Sequence, residues 1–252
     1  MSRRQRKLKE SKNKINIRLT LGIIFLLVAI CLLLVKPLKS HLLNENISEY
    51  ESNKSKILSN ASKNAKKEKK YISKGDYNFD KVERLNLQTV VNAKNKVNFD
   101  NASGAIAIPD INLSLPIFNA LNNYNLAYGA GTMKENQVMG SGNYALAGHN
   151  YPDSPKILFS PLVKIKQGNV IYLTDFSFIY IYNTLSITTI KPTQVDVIND
   201  TNGVTELTLI TCNDDGSLRH MVKATYSGKI PVSEASQDMK NAFGYDFNSY
   251  SR

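Results

Sequence analysis

Between Gly104 and Pro231 the chain breaks into short apolar runs separated by turn residues, and this texture restricts the fold more than any other feature. The runs are Ala105–Ile108, Leu113–Phe118, Tyr144–Ala147, Val170–Leu173, Phe178–Ile190, Val195–Ile198, Leu207–Cys212 and His220–Ile230. Most are too short for a helix of ordinary length, and several alternate with the period of two that places neighbouring side chains on opposite faces of a strand. About eight strands with few helical patterns predict an all-β sandwich or closed barrel. Pro109, Pro116 and Pro192 are expected near strand boundaries, where proline does not interrupt a ladder. Leu158–Lys166 is the one segment inside this region that predicts a short helix. Residues after Pro231 are polar and contain no second apolar span.

The front of the chain is different in kind. Residues 1–18 form a basic tail with eight Lys and Arg and one acid, Glu10. Residues 19–35, Leu19 to Val35, carry no charge, which is about the shortest stretch that crosses a bilayer as a helix. The basic flank places the N-terminus in the cytoplasm and the rest of the chain outside. Lys36-Pro37-Leu38-Lys39 follows in place of a small-x-small cleavage site, so the expectation is an uncleaved single-pass anchor rather than a removed signal peptide. Residues 36–100 read as a polar stalk, rich in Lys, Ser, Asn and Glu, with too little apolar area to order itself. Within it a short helix is expected over 80–95, opened by Asp80 and Glu83 as a capping box. Residues 101–252 are expected to fold as the functional domain.

Charge decides one function class. The formal net charge is +11, but residues 1–100 hold 22 of the 32 Lys and Arg and 9 of the 21 Asp and Glu, a net of +13. Residues 101–252 therefore carry a net of −2, and a nucleic-acid-binding surface on the domain is not expected.

Only two cysteines are present, Cys31 in the apolar run and Cys212 at the end of Glu206–Cys212. Asn213-Asp214-Asp215-Gly216 follows at once, so the thiol stands where a strand ends and a turn begins. A rigid strand aims such a group and the loop leaves it reachable. A thiol attacks only as thiolate, and a free cysteine has a pKa of roughly 8.5, so Cys212 needs a base or cation beside it. His149 ends the run Tyr144–Ala147 in the same strand-to-loop setting. His41 follows the apolar run too closely to serve, and alternation puts Arg219 and His220 on opposite faces, so only one of them faces a groove shared with Cys212. Taken singly, each residue has a simpler reading: a small buried cysteine, a hydrogen-bonded histidine, a solvated arginine. These residues by themselves describe an exported β-domain that is either a thiol enzyme or not.

Together they carry a resemblance. Thr208-Leu209-Ile210-Thr211-Cys212 resembles the TLxTC signature of sortases, Ala147-Gly148-His149 resembles the segment of that family's catalytic histidine, and Arg219 matches its arginine. Gly104–Pro109, Gly129–Lys134, Leu158–Leu162 and Val170–Asp175 are similar to class A sortases of streptococcal type. The resemblance implies an eight-stranded sortase-type β-barrel on the surface of a Gram-positive cell. It implies a cysteine transpeptidase that cuts an LPxTG sorting signal between Thr and Gly and passes the protein to an amino group of a peptidoglycan precursor. Cys212 is then the nucleophile, His149 the proton donor and acceptor, and Arg219, assisted by Thr211, the holder of substrate and oxyanion. Ile210 and Ala147 share the faces of Cys212 and His149 and are expected in the groove. The segment Ile190 to Val197, with Ile190, Pro192, Val195 and Val197, resembles the loop that grips the Leu-Pro part of the signal, while Val195 and Val197 fit a strand core equally well.

Some class A sortases bind calcium through acids before the catalytic histidine. Lys134 to Ser141 contains the single acid Glu135, so no metal and no cofactor are expected. Neither the aromatic-bearing lid motif nor the C-terminal span of pilus-building class C enzymes is evident, which favours a class A role. An exported cysteine peptidase, an L,D-transpeptidase-like enzyme and a tethered binding module are the competing readings.

Overall fold

A computed structural model describes residues 3–66, 77, 79–97, 99 and 102–244. The chain divides into two units, residues 1–41 and 42–252. The helix α1, Arg3–Lys66, contributes to both and contains Pro37. Within it, Ile17–Asn46 is long and apolar enough to cross a membrane. Its large side chains are exposed all round, Phe25 at 73% and Leu33 at 77%, as a lipid-facing helix requires.

The second unit is built on a closed barrel. Its strands are β1 (Ala102–Ile108), β2 (Leu113–Phe118), β3 (Ala130–Thr132), β4 (Asn143–Ala147), β5 (Val170–Thr174), β6 (Phe178–Ile190), β7 (Glu206–Cys212) and β8 (Arg219–Pro231). They close in the order β1-β2-β3-β4-β7-β8-β6-β5. Pairing is antiparallel except for β2 with β3 and β4 with β7. Alternation sorts the side chains: Ile106 and Ile108 of β1 enter the barrel core, whereas Ala105 and Ala107 face outward. Leu207, Leu209, Val222 and Ala224 enter the same core from β7 and β8.

Seven of the eight apolar runs are strands. Val195–Ile198 is instead a 3-10 helix. The eighth strand is β3, three residues including Gly131, too short and too plain in sequence to show a period. Pro116 lies inside β2 rather than at its boundary, opposite Ala105. It is tolerated because β2 pairs with β3 only through Ile117 and Phe118, so no neighbour on that side asks Pro116 for an N–H. The helix expected over Leu158–Lys166 is a 3-10 helix at Ser160–Lys164 with Pro161 in its first turn.

The stalk is more ordered than its composition suggests. Helix α2 spans Leu87–Lys96 and is capped by Asn86, whose side chain accepts from the Thr89 N–H at 2.7 Å. It begins later than the Asp80–Glu83 pattern implies, because Phe79–Lys81 forms a 3-10 turn and Val82–Asn86 is non-helical. Leu43 of α1 is fully buried with Val90 and Ala93 of α2 against outward-facing Ala105 and Ala107. The Tyr128 hydroxyl donates to the Glu49 carboxylate at 3.1 Å, and burial, with that carboxylate beside it, pushes the phenol up well above its ordinary range. A buried leucine contributes about 2 kcal/mol, and Leu43, Leu85, Val90 and Ala93 together set that burial against the entropy of ordering the segment. The lysine-rich run continues past Lys66 outside the described residues. At the other end a short helix, Gln237–Ala242, follows β8, and Ala235 and Phe243 are buried in the same outer cluster, so the polar tail contributes two core side chains.

Candidate active site

The site is assembled by β7, which lies between β4 and β8. Cys212 stands directly across the antiparallel ladder from Arg219, and Thr211 from His220. Opposed residues share a face with Cβ atoms about 5 Å apart. On the other side Ala147 pairs with Ile210, and the Gly148 N–H donates to the Ile210 carbonyl at 3.1 Å, which continues the parallel register past the end of β4. That register carries Gly148 to the level of Thr211 and His149 to the level of Cys212. Sulfur, imidazole and guanidinium thus reach the outer face of the barrel at one end of β7, and all three line one groove. Cys212 is half-buried rather than sealed in the core. His149 is 7% exposed.

Local chemistry holds each of them. Arg219 Nη1 donates to the carbonyls of Gly216 and Leu218, both at 3.1 Å, so the guanidinium is braced by its own hairpin. The Thr211 hydroxyl donates to the Gly148 carbonyl at 2.8 Å, and the Phe159 N–H donates to the His149 carbonyl at 3.0 Å. Thr211 therefore spends its hydroxyl on the segment that carries the imidazole. Its side chain points to the barrel interior, away from Cys212. Asn150 closes the arrangement by donating to the Asp214 carboxylate at 3.0 Å, tying the loop after His149 to the hairpin after Cys212.

Gly148 is required by space. A Cβ there would sit 2.7 Å from the ring of Phe159, which is fully buried. Gly148→Ala is expected to push the His149 segment away from β7. The expected loss is about 10- to 100-fold in kcat/KM, by the sensitivity of reacting geometry to displacements of an ångström. Steady-state kinetics together with a thermal melt check this, since a folded variant with wild-type kcat/KM would show that the close approach does not matter.

His220 is the other domain histidine, and it faces inward. Its Nε2 lies 3.2 Å from the Leu162 carbonyl, and burial pushes its pKa down despite that carbonyl. Of the pair Arg219 and His220, the arginine faces the groove. His41 falls in the other unit.

The groove floor is apolar. Ile190, Ile198, Ile210 and Met221 pack there with Leu121, Leu126 and Met133. The residues expected from the sequence, Ala147, Ile190, Pro192, Val195, Val197, Ile210 and Thr211, all line it. Val195 is 54% exposed and belongs to the 3-10 helix, so the strand-core alternative for Val195 and Val197 does not hold. Among the lining residues outside the expected set are Leu121, Leu126, Met133 and Ile198, and also Phe79, Val82, Glu83 and Arg84 from the segment before α2. The sequence signal of the segment 79–84 is two apolar residues, Phe79 and Val82, three apart in a polar stretch.

The β6–β7 connection is fixed at its far end. Asp200 forms an ion pair with Lys134 of the β3–β4 loop and accepts from the Asn143 N–H at 2.8 Å. The hydrogen bond from Lys134 is the main cause holding the Asp200 carboxyl below its usual range. The Asn143 side-chain amide donates to the carbonyls of Val197 and Asn199. Among the described residues no group of three His, Cys, Asp or Glu is placed to hold a metal ion.

A closed barrel with a thiol, an imidazole and a guanidinium at the head of an apolar groove defines a candidate for thiol-dependent acyl transfer. Comparison with known proteins places it more narrowly. Residues 106–227 match the sortase domain model. Sortase A of Streptococcus agalactiae is 38% identical over 92% of this chain and 93% of its own length. Sortase A of Listeria monocytogenes is 34% identical over 77% of this chain and 83% of its own length. The solved structure of the Listeria monocytogenes enzyme superposes with a TM-score of 0.53 at 36% identity, covering 58% of this chain and 99% of that one. The chain belongs to the sortase family of transpeptidases.

Proposed function

We propose that this sortase is of class A. In this reading it cleaves an LPxTG-type signal between Thr and Gly and transfers the protein to an amino group of a cell-wall precursor. The observation that carries the reading is the register of β7, which sets Cys212 opposite Arg219 and level with His149. The likeness to the two Sortase A proteins supports the class.

The chemistry balances in two steps. The Cys212 thiolate adds to the threonine carbonyl, and the oxyanion is met by the Arg219 guanidinium. The C–N bond to glycine breaks, the amine leaves with a proton from the His149 imidazolium, and a thioester on Cys212 remains. An incoming amine then attacks the thioester, gives its proton to His149 and releases the thiolate. The apolar floor of Ile190, Ile210 and Ala147, walled by Pro192, Val195 and Val197, suits the Leu-Pro end of the signal. Thr211 acts by positioning the His149 segment rather than by touching substrate.

The apolar stretch of α1 serves as a single-pass anchor with the basic tail in the cytoplasm and the barrel outside. Partners follow from this: LPxTG-bearing surface proteins as donors and a peptidoglycan precursor as acceptor.

The decisive experiment incubates the full-length protein with an LPxTG peptide and reads Cys212 by mass spectrometry. A peptidyl adduct ending at threonine, discharged by an added amine, is expected. Hydrolysis of unrelated peptides with no such adduct would favour an exported cysteine peptidase.

Turnover is expected without calcium. Lys134 brings a positive charge to Asp200 and so ties the β3–β4 loop to the β6–β7 connection with an ammonium in place of a divalent ion. Chelator or added calcium is expected to change kcat/KM by less than about two-fold, since calcium needs several carboxylate oxygens to bind well. Asp200→Ala is expected to raise KM by loosening the β6–β7 wall. A many-fold activation by calcium would refute this.

A further inference from the structure

We propose that Lys223, with Glu206 and Thr208, positions the β6–β7 wall of the groove and so sets its selectivity for the Leu-Pro end of the signal. The proposal rests on the substrate reading above. By alternation Glu206, Thr208, Ile210 and Cys212 share the outer face of β7. Across the ladder Lys223 faces Thr208, Met221 faces Ile210 and Arg219 faces Cys212. That face therefore has three levels. The first holds the reacting groups, and the second is the apolar floor of Ile210 and Met221. The third is a set of polar side chains that do not line the groove.

These polar groups converge on one carbonyl. Val195–Ile198 is a single helical turn, and the last carbonyls of a helix find no partner inside it. The Val197 carbonyl is met by two donors, Lys223 Nζ at 2.9 Å and Asn143 Nδ2 at 3.1 Å. Each donor is itself held. Lys223 Nζ also donates to Glu206 Oε1 at 2.7 Å, and the two side chains are only 18% and 15% exposed. The buried Asn143 accepts at Oδ1 from the Thr208 hydroxyl at 2.6 Å, which turns its amide hydrogens toward the carbonyls of Val197 and Asn199. The first threonine of Thr208–Cys212 thereby has a task distinct from that of Thr211: it fixes which end of Asn143 faces the wall. Residues 191–196 are all exposed, so side-chain packing does not hold that part of the wall. Its backbone must be fixed from beneath, and an ammonium shielded from water donates to a carbonyl more strongly than a neutral group does. A buried ion pair adds little net stability of its own, and here it holds one arrangement of its neighbours.

The test uses the full-length protein in detergent micelles and two independent variants. Lys223→Met with Glu206→Gln removes the pair without leaving a lone buried charge, and Thr208→Val removes the hydroxyl at constant shape. Hydrogen exchange over residues 191–204 is read first, without substrate, and is expected to quicken while β7 and β8 keep their protection. A wall that binds peptide equally before and during reaction acts on KM. Both variants are therefore expected to raise KM for an LPxTG peptide roughly five- to thirty-fold with kcat within about two-fold. The preference for LPxTG over the same peptide with alanine in place of proline should fall about five-fold or more. Alkylation of Cys212 by iodoacetamide, mapped by peptide mass to separate it from Cys31, should keep its wild-type rate. Faster exchange over 191–204 in a protein whose wild type forms no peptidyl adduct would support the bracket and remove the sorting-peptide reading. Folded variants with wild-type exchange and wild-type KM would overturn the proposal. So would a loss that falls on kcat and alkylation with the proline preference intact, since the pair would then serve the barrel at large.

Discussion

Cys212→Ala is expected to reduce transpeptidation to background, a loss of roughly five orders of magnitude, because no other group of the site can form the acyl intermediate. The variant should fold. The thiol is half-buried at the end of β7, and its removal opens no cavity in the barrel core, which is filled by Leu207, Leu209, Val222 and Ala224. Wild-type melting with no adduct and no amine transfer is the expected pair of results. His149→Ala should give a similar loss, since the leaving amine then departs without a proton donor. Residual transfer at a tenth of the wild-type rate in either variant would mean that the chemistry runs elsewhere. It would leave the register of β7 with β4 and β8 as architecture alone.

Arg219→Lys is expected to lower kcat/KM by about 10²- to 10³-fold, close to the effect of Arg219→Ala. The argument is geometric. Arg219 faces Cys212 across the ladder and uses Nη1 to hold the Gly216 and Leu218 carbonyls. A planar fork can keep those two bonds and still present another N–H to a developing oxyanion. An ammonium that satisfies the same carbonyls turns its charge into the hairpin and away from the reacting carbon. The loss should fall mainly on kcat, and the peptidyl adduct should accumulate more slowly rather than vanish. A lysine variant with near wild-type kcat would show that only the positive charge at this place is used.

How much of this was readable in advance differs element by element. Seven strands were legible because short apolar runs bounded by turn residues, several of them alternating, are a property of the local sequence. β3 was not, since three residues carry no period and Gly131 fits a turn equally well. Val195–Ile198 has the composition of a strand, yet it curls into a 3-10 helix between the end of β6 and the start of β7. The start of α2 was misread for a related reason. Asp80 and Glu83 have the spacing of a capping box, but Phe79 and Val82 find a better burial on the groove floor than a helix would offer, and Asn86 caps the helix instead. The composition of the stalk pointed away from order, yet its few apolar side chains, Leu43, Leu85, Val90 and Ala93, gather in one buried cluster, and Glu49 accepts from Tyr128 beside it.

The amino-acid sequence alone determined the strand-rich domain, the apolar helix and the identity of the three polar groups, because periodicity, charge-free length and a signature at a strand end are all local. Only the tertiary structure decided that these groups meet. His149 and Cys212 are separated by 62 intervening residues, and nothing short of the parallel pairing of β4 with β7 sets them level. The same holds for the segment before α2. That Phe79 and Val82 lie over the floor of the groove depends on an apolar surface assembled from segments distant in the chain, and no local pattern encodes a surface of that kind.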